Sequence, residues 1–263
     1  MSKQNSANSS KYTAPVDALL NQGDARESMR HWPDYRALGL TEDHVPELLA
    51  ISLDDELAGR QDDSGWAPIH ARRALGQLQA VETLETLFHF LTLQENEDDD
   101  WLFEELPRVA ALCGEASIPH LSSFLANSEN PMHARVAAAE GLAKLGEETR
   151  SLRMPCAKHI ERVLEQFSTQ DEDFNGFLIS NLLKLDYSDA LPLIERAYRE
   201  DRVEIDIVGD FNDVRAHFGL PPVSDNFFAD IAFGTVPQRH SKPNYSRFLQ
   251  TPNDVDVPSF FDE

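Results

Sequence analysis

Cysteine is scarce: Cys113 and Cys156 are the only two in 263 residues. Two thiols do not make a disulfide framework. Their surroundings read as helical and partly buried, so they are expected to be reduced and inert. In "CAKH", Cys156 and His159 stand three positions apart, close enough on a helix for a thiolate–imidazole pair. No further catalytic element accompanies that pair.

Positive charge is also in short supply. Lys plus Arg number 23 against 46 Asp plus Glu, giving a formal charge of −23. No Lys/Arg block interrupts this field, which argues against a nucleic-acid backbone or an anionic membrane as partner. A basic protein or peptide partner, or simply high solubility, is favoured. A salt-loving source would account for the acidity equally well.

Long apolar runs are missing too. Nowhere do about 18 apolar residues follow one another, as a membrane-spanning helix requires. The opening "MSKQNSANSSKYTAP" is polar and lacks the apolar core of a signal peptide. The cytoplasm is therefore the expected location. H-E-x-x-H, C-x-x-C, G-x-S-x-G, the P-loop and G-x-G-x-x-G are all absent. His70 and His133 have no partner at metal-ligand spacing. No metal, cofactor or catalytic residue is expected.

What is present is the composition of a folded chain, 41% hydrophobic and 26% charged. Residues 1–14 read as a disordered arm. "PVDALLNQGD" reads as a short helix stopped by Gly23, and "HWPDYRALGL" as a connector. Thr41 is placed to cap the helix of "EDHVPELLAISLDDEL", whose first-turn acids face the positive end of the helix dipole.

From residue 64 the chain repeats. "GWAPIHARRALGQLQ", "DWLFEELPRVAALCG", "MHARVAAAEGLAKLG" and "DFNGFLISNLLKLD" align on their last residues, Gln79, Gly114, Gly146 and Asp186. One place before the end stand Leu78, Cys113, Leu145 and Leu185; four before it, Leu75, Ala110, Leu142 and Leu182. Eight before it stand Ala71, Leu106, Ala138 and Leu178; twelve before it, Ala67, Leu102, Ala134 and Phe174. Steps of 3, 4 and 4 trace one face of a helix. Gly114 and Gly146 fit left-handed helix stops. Each helix is followed by a second amphipathic stretch, at 81–91, 118–125, 160–167 and 191–198. Helix pairs recurring every 32–40 residues predict an all-α chain, an α-solenoid of stacked pairs over residues 15–222. Its last helix lies within "GDFNDVRAHFGLPP", capped by Asp210. An irregular tail rich in Phe and Pro, 223–263, follows and is expected to lie along the solenoid's concave face or to serve as a recognition peptide.

The endings "A-L-G-x-L" and "A-x-x-x-L-x-x-L-G", with the openings "ASIPHL" and "DALPLI", resemble HEAT-like repeats of the phycobilisome-lyase type. "WPDYRALGLTEDHVPELL" with "GWAPIHARRALGQL" is also similar to a group of uncharacterised bacterial HEAT-like proteins. The resemblance covers about residues 41–219. It implies stacked helix pairs and leaves activity open.

The densest acidic stretch, "DDDWLFEELPRV" at 98–109, reads as a helix start whose carboxylates meet unpaired backbone N–H groups. It lacks the alternating ligands and glycine turn of a calcium loop. Pro107 is expected to disturb the helix. Trp66 and Trp101 read as packing between repeats, and Asn175-Gly176 as a helix-start turn. Solenoids bind partners on the concave surface, formed by the second helix of each pair. The polar columns assigned there are His70 with Glu105, and Arg73 with Arg108 and Glu140. These five are the candidate partner-binding residues. The expected function is a non-enzymatic adaptor. The alternative, implied by the resemblance alone, is a bilin-lyase-like enzyme or chaperone factor acting on a chromophore-bearing protein.

Overall fold

The computed structural model describes residues 11–93 and 100–223. Among them all regular structure is helical and no strand occurs. Helix α1 spans Val45–Ser52, α2 Asp55–Ala58, α3 Ala67–Gln77, α4 Leu84–Leu93, α5 Asp100–Leu112 and α6 Ile118–Ala126. They are followed by α7 Met132–Glu148, α8 Arg153–Leu164, α9 Glu172–Lys184, α10 Leu191–Arg199, α11 Ile205–Val208 and α12 Phe211–His217.

The sequence marks the helix starts. Pro lies in the first turn of α1, α3, α6 and α10, where its missing N–H has no intrahelical acceptor to lose. Asp54, Asp171 and Asp210 accept backbone N–H groups ahead of α2, α9 and α12. Thr41 precedes the 3-10 turn Glu42–His44, and its N–H donates to His44 Nδ1 at 3.0 Å. Pro107 lies inside α5 and withholds one N–H from that helix's ladder.

Two rows of contacts organise the chain. In the first, α1, α3, α5, α7, α9 and α11 each pack on the next. In the second, α4 packs on α6 and α6 on α8, each also touching the first row. The apolar columns expected from periodicity are buried, and Leu75, Ala110, Leu142 and Leu182 have no exposed surface at all. Each such Leu contributes about 1.5–3 kcal/mol. α7 touches α5, α6, α8 and α9. Ala134, Ala137, Ala138, Ala139, Gly141 and Ala143 keep it thin, so it is buried round most of its circumference.

The aligned helix ends divide. Gly114 takes φ 68°, and Gln79 and Asp186 enter the left-handed region without being glycine, at 57° and 49°. Gly146 does not end its helix, because α7 runs on to Glu148. Its small size answers a packing need instead: a Cβ there would lie 2.6 Å from Leu185 Cδ2 and 3.1 Å from Arg153 Cα. Asn175 and Gly176 likewise lie within α9, both buried, rather than in a turn.

Of the arm expected over residues 1–14, Lys11–Ala14 fall among the described residues. Lys11 Nζ and Tyr12 Oη reach Asp54 at 2.8 and 2.6 Å, and Thr13 N reaches Glu47 at 2.8 Å. Residues 224–263, and the docking expected of them, lie outside the described residues, as do Asp98 and Asp99 of the acidic stretch.

The two first-row helices α3 and α5 meet closely at Gly76, where a Cβ would lie 3.2 Å from the Cα and O of Val109. Backbone cannot yield there, so Gly76→Val is expected to cost about 2 kcal/mol as overpacking. For a chain of this size that lowers Tm by roughly 4–8 °C, to be read in a calorimetric or circular-dichroism melt.

Candidate functional site

His70 and Arg73 lie on α3, Glu105 and Arg108 on α5, and Glu140 on α7. The first four share a neighbour that sequence periodicity does not reveal. Residues 23–36, which overlap the connector read at 31–40, run across α3 and α5 and are held largely through their main chain.

Arg73 is the centre. Its side chain has no exposed surface, and Glu105 beside it is nearly as buried. Arg73 Nη2 donates to Glu105 Oε1 at 2.7 Å and Nε donates to Oε2 at 3.0 Å, a two-pronged pair. Nη1 turns the other way and donates to Ala25 O at 3.2 Å and Ser28 Oγ at 2.9 Å. Burial works against the charge, but the Glu105 bonds outweigh it and hold the guanidinium above its ordinary pKa.

Arg108 stands on the next helix and repeats the gesture. Its Nη1 and Nη2 donate to Met29 O at 2.6 Å and Arg30 O at 3.0 Å. The Trp32 ring meets both arginines, its centroid 5.1 Å from the Arg73 guanidinium carbon and 4.1 Å from that of Arg108. Gln77 completes the row: Nε2 donates to Pro33 O at 2.7 Å, and Oε1 accepts from Tyr35 N at 2.9 Å.

His70 does not pair with Glu105, as the column reading expected. Its Nε2 is 3.0 Å from Gly23 O and its Nδ1 is 2.6 Å from Tyr35 Oη. A carbonyl only accepts, so Nε2 carries the proton and Nδ1 accepts from the Tyr35 hydroxyl. Burial pushes Tyr35 up to about 12, which keeps that hydroxyl protonated. Burial, aided by Arg73, pushes His70 below 6.5 despite the Gly23 bond, so the neutral form matches its surroundings.

The structure thus brings His70, Arg73, Glu105 and Arg108 together under one segment. His70, Arg73 and Glu105 are buried there, so they form no open ridge. Glu140 belongs elsewhere. It is partly exposed and faces Lys184 of α9 at 3.8 Å. Burial raises its pKa, with Lys184 and Lys144 opposing. Ser28, Trp32, Tyr35 and Gln77 are the residues that sequence reasoning missed. The available signal was Trp32 and Tyr35 in four residues of a supposed linker.

Beside the segment, an open depression of about 300 Å³ is lined by residues including Trp32, Asp34, Arg36 and Gln77. Trp66, the other tryptophan read as packing, carries the Arg26 guanidinium at 4.9 Å from its ring. The side chain of Trp101 is outside the description. Cys113 and Cys156 are buried, with burial pushing their thiols up to about 12 and about 11, so neither is an activated nucleophile. Among the described residues no group of three or more His, Cys, Asp or Glu is arranged to hold a metal ion, and no helix is long and apolar enough to cross a membrane.

Two outcomes are expected. Arg73→Met alone leaves Glu105 buried and unpaired and should cost about 3–5 kcal/mol in denaturant unfolding, most of it regained when Glu105→Leu is added. Because the folded pKa of His70 lies below 6.5, protons bind the unfolded state first as pH falls. Stability should therefore drop as pH falls below about 6.5, and His70→Gln should flatten the curve of Tm against pH. His159, also lowered by burial, leaves a remaining slope of the same sign.

Comparison of the chain with protein-family models, with curated proteins and with solved structures gives no match in any of the three.

Proposed function

We propose that this chain is an interaction module, a HEAT-like α-solenoid whose helix surface binds protein or peptide. The observation that carries this reading is the capture of residues 23–36. Side chains from two successive helices of one row hold a polypeptide by its carbonyls, at Gly23, Ala25, Met29, Arg30 and Pro33. A surface that does this for its own chain has the donors and spacing to do it for another.

The repeat reading rests on the two rows of contacts and on helix ends 35, 32 and 40 residues apart in sequence. Successive first-row contacts from α1 to α11 support that reading. The charge of −23 favours a basic partner. Glu140 stands in the Arg73–Arg108 register one helix further on, and exposed Glu147 and Glu148 end the same helix. These acids of α7 are the contacts proposed for basic groups.

The test is affinity capture from native lysate, followed by binding of the recovered protein to a chain carrying Glu140→Lys, Glu147→Lys and Glu148→Lys. A stoichiometric basic protein that binds the triple variant at least tenfold more weakly is the expected result. Recovery of no stoichiometric protein by the folded chain would overturn the module reading, and a partner indifferent to all three reversals would remove α7 from it.

A further inference from the structure

We infer that the face of α3 and α5 bearing His70, Arg73, Gln77 and Arg108 is a groove for a tryptophan-bearing peptide of a partner protein, and that residues 26–34 occupy it in that partner's absence. This deepens the interaction-module reading and rests on it, naming the site and the chemistry of the occupant.

The recognition is of a general kind. Arg108 takes two consecutive carbonyls, Met29 and Arg30, while Gln77 takes the Pro33 carbonyl and the Tyr35 N–H. None of these bonds reads a side chain. The side chain that meets both guanidiniums is Trp32. A peptide from another protein satisfies the same contacts if it follows the same path, a 3-10 turn like Ala25–Ser28 and then an open stretch, and offers an indole at that place.

The resident segment is lightly held. Its ends are fixed by Ala25 and Tyr35, both without exposed surface. Between them no residue is buried, and Arg26, Glu27, Met29, Arg30, His31 and Asp34 are exposed. What lies beneath is also unlike a core. Lifting residues 26–34 uncovers the Arg73–Glu105 ion pair, which water solvates well, together with the core surface on which Trp32 packs. Water offsets the first part of that cost, and the indole of a partner recovers the second. The resident also fits imperfectly: the buried Trp32 Nε1 meets no hydrogen-bond acceptor among the described residues. A partner that carries an acceptor beside its indole avoids that loss. Tethering at both ends gives the resident a high effective concentration, so a partner's affinity is measured against that competition.

The experiment uses the full chain and a fluorescein-labelled synthetic peptide of residues 24–36 as probe, read by fluorescence anisotropy. In the chain carrying Trp32→Ala the resident loses its clasp, and the probe should bind at least tenfold more tightly than to the unaltered chain. Adding Arg108→Ala should then reduce binding at least tenfold. Equal binding to the unaltered chain, to Trp32→Ala and to the double variant would overturn the groove. A melt checks that the variants fold. Should Trp32→Ala fail it, Trp32→Phe keeps a ring and serves instead, with at least threefold tighter binding expected and equal binding again overturning the proposal. A lysate partner found alongside an indifferent probe would sink the groove and leave the module reading. An exchanging probe with no lysate partner would do the reverse.

Discussion

The guanidinium of Arg73 is the point on which the N-terminal third of the molecule depends. A fully buried positive charge is tolerated only when its donors are matched. Glu105 supplies the opposite charge from the neighbouring helix, and Ala25 and Ser28 supply oxygen from the crossing segment. One side chain thereby joins α3, α5 and residues 23–36. The position of Trp32 follows from it, since the indole rests against that same guanidinium. So does the neutrality of His70, which sits between the Arg73 charge and the low-polarity surroundings that exclude its own protonation.

The rest of the fold obeys a simpler constraint, the thickness of its helices. First-row helices approach one another at glycine and alanine. Gly76 lets α3 meet the backbone of α5, and Gly176 admits Ile207 and the Glu204 carbonyl of the α11 turn against α9. Gly141 lies against the Leu121 methyls of α6, which ties the second row to the first. The row is thus set by small residues on one side and leucine columns on the other. Dispersion and burial supply most of its cohesion, with buried polar bonds across it from Arg72 to the Ser52 carbonyl and from Arg73 to Glu105. Bonds to carbonyls gather instead where residues 23–36 cross α3 and α5.

That division explains why a strongly acidic chain can have two arginines at its most crowded place. The net charge of −23 belongs to the whole chain, and at long range it sets which partners are attracted. At contact distance the carbonyl oxygens around Arg73 and Arg108 determine what is held. The acids of α7 and the arginines of α3 and α5 therefore sit in different settings, Glu147 and Glu148 exposed and the arginines bonded to carbonyls of the crossing segment.

The helical rows were legible in the sequence for a definite reason. A helix that buries one face must repeat apolar residues at steps of 3 and 4, and the four columns ending at Leu78, Cys113, Leu145 and Leu185 do so. Asp210 and Thr41 could be read as helix starts because a capping side chain acts within three residues of itself. Gly146 was misread because a glycine that ends a helix and one that admits Leu185 look alike in one dimension. The segment 23–36 left only Trp32 and Tyr35 as a signal, because carbonyls are present in every residue and no pattern of side chains announces which will be used. Glu105, 32 residues from Arg73, aligns with His70, and nothing periodic pairs it with Arg73. By itself, then, the sequence determined what is local and periodic: all-helical structure and the buried columns. Only the tertiary structure decided where residues 23–36 run and which polar residues lose their water, since those depend on atoms brought together across tens of residues.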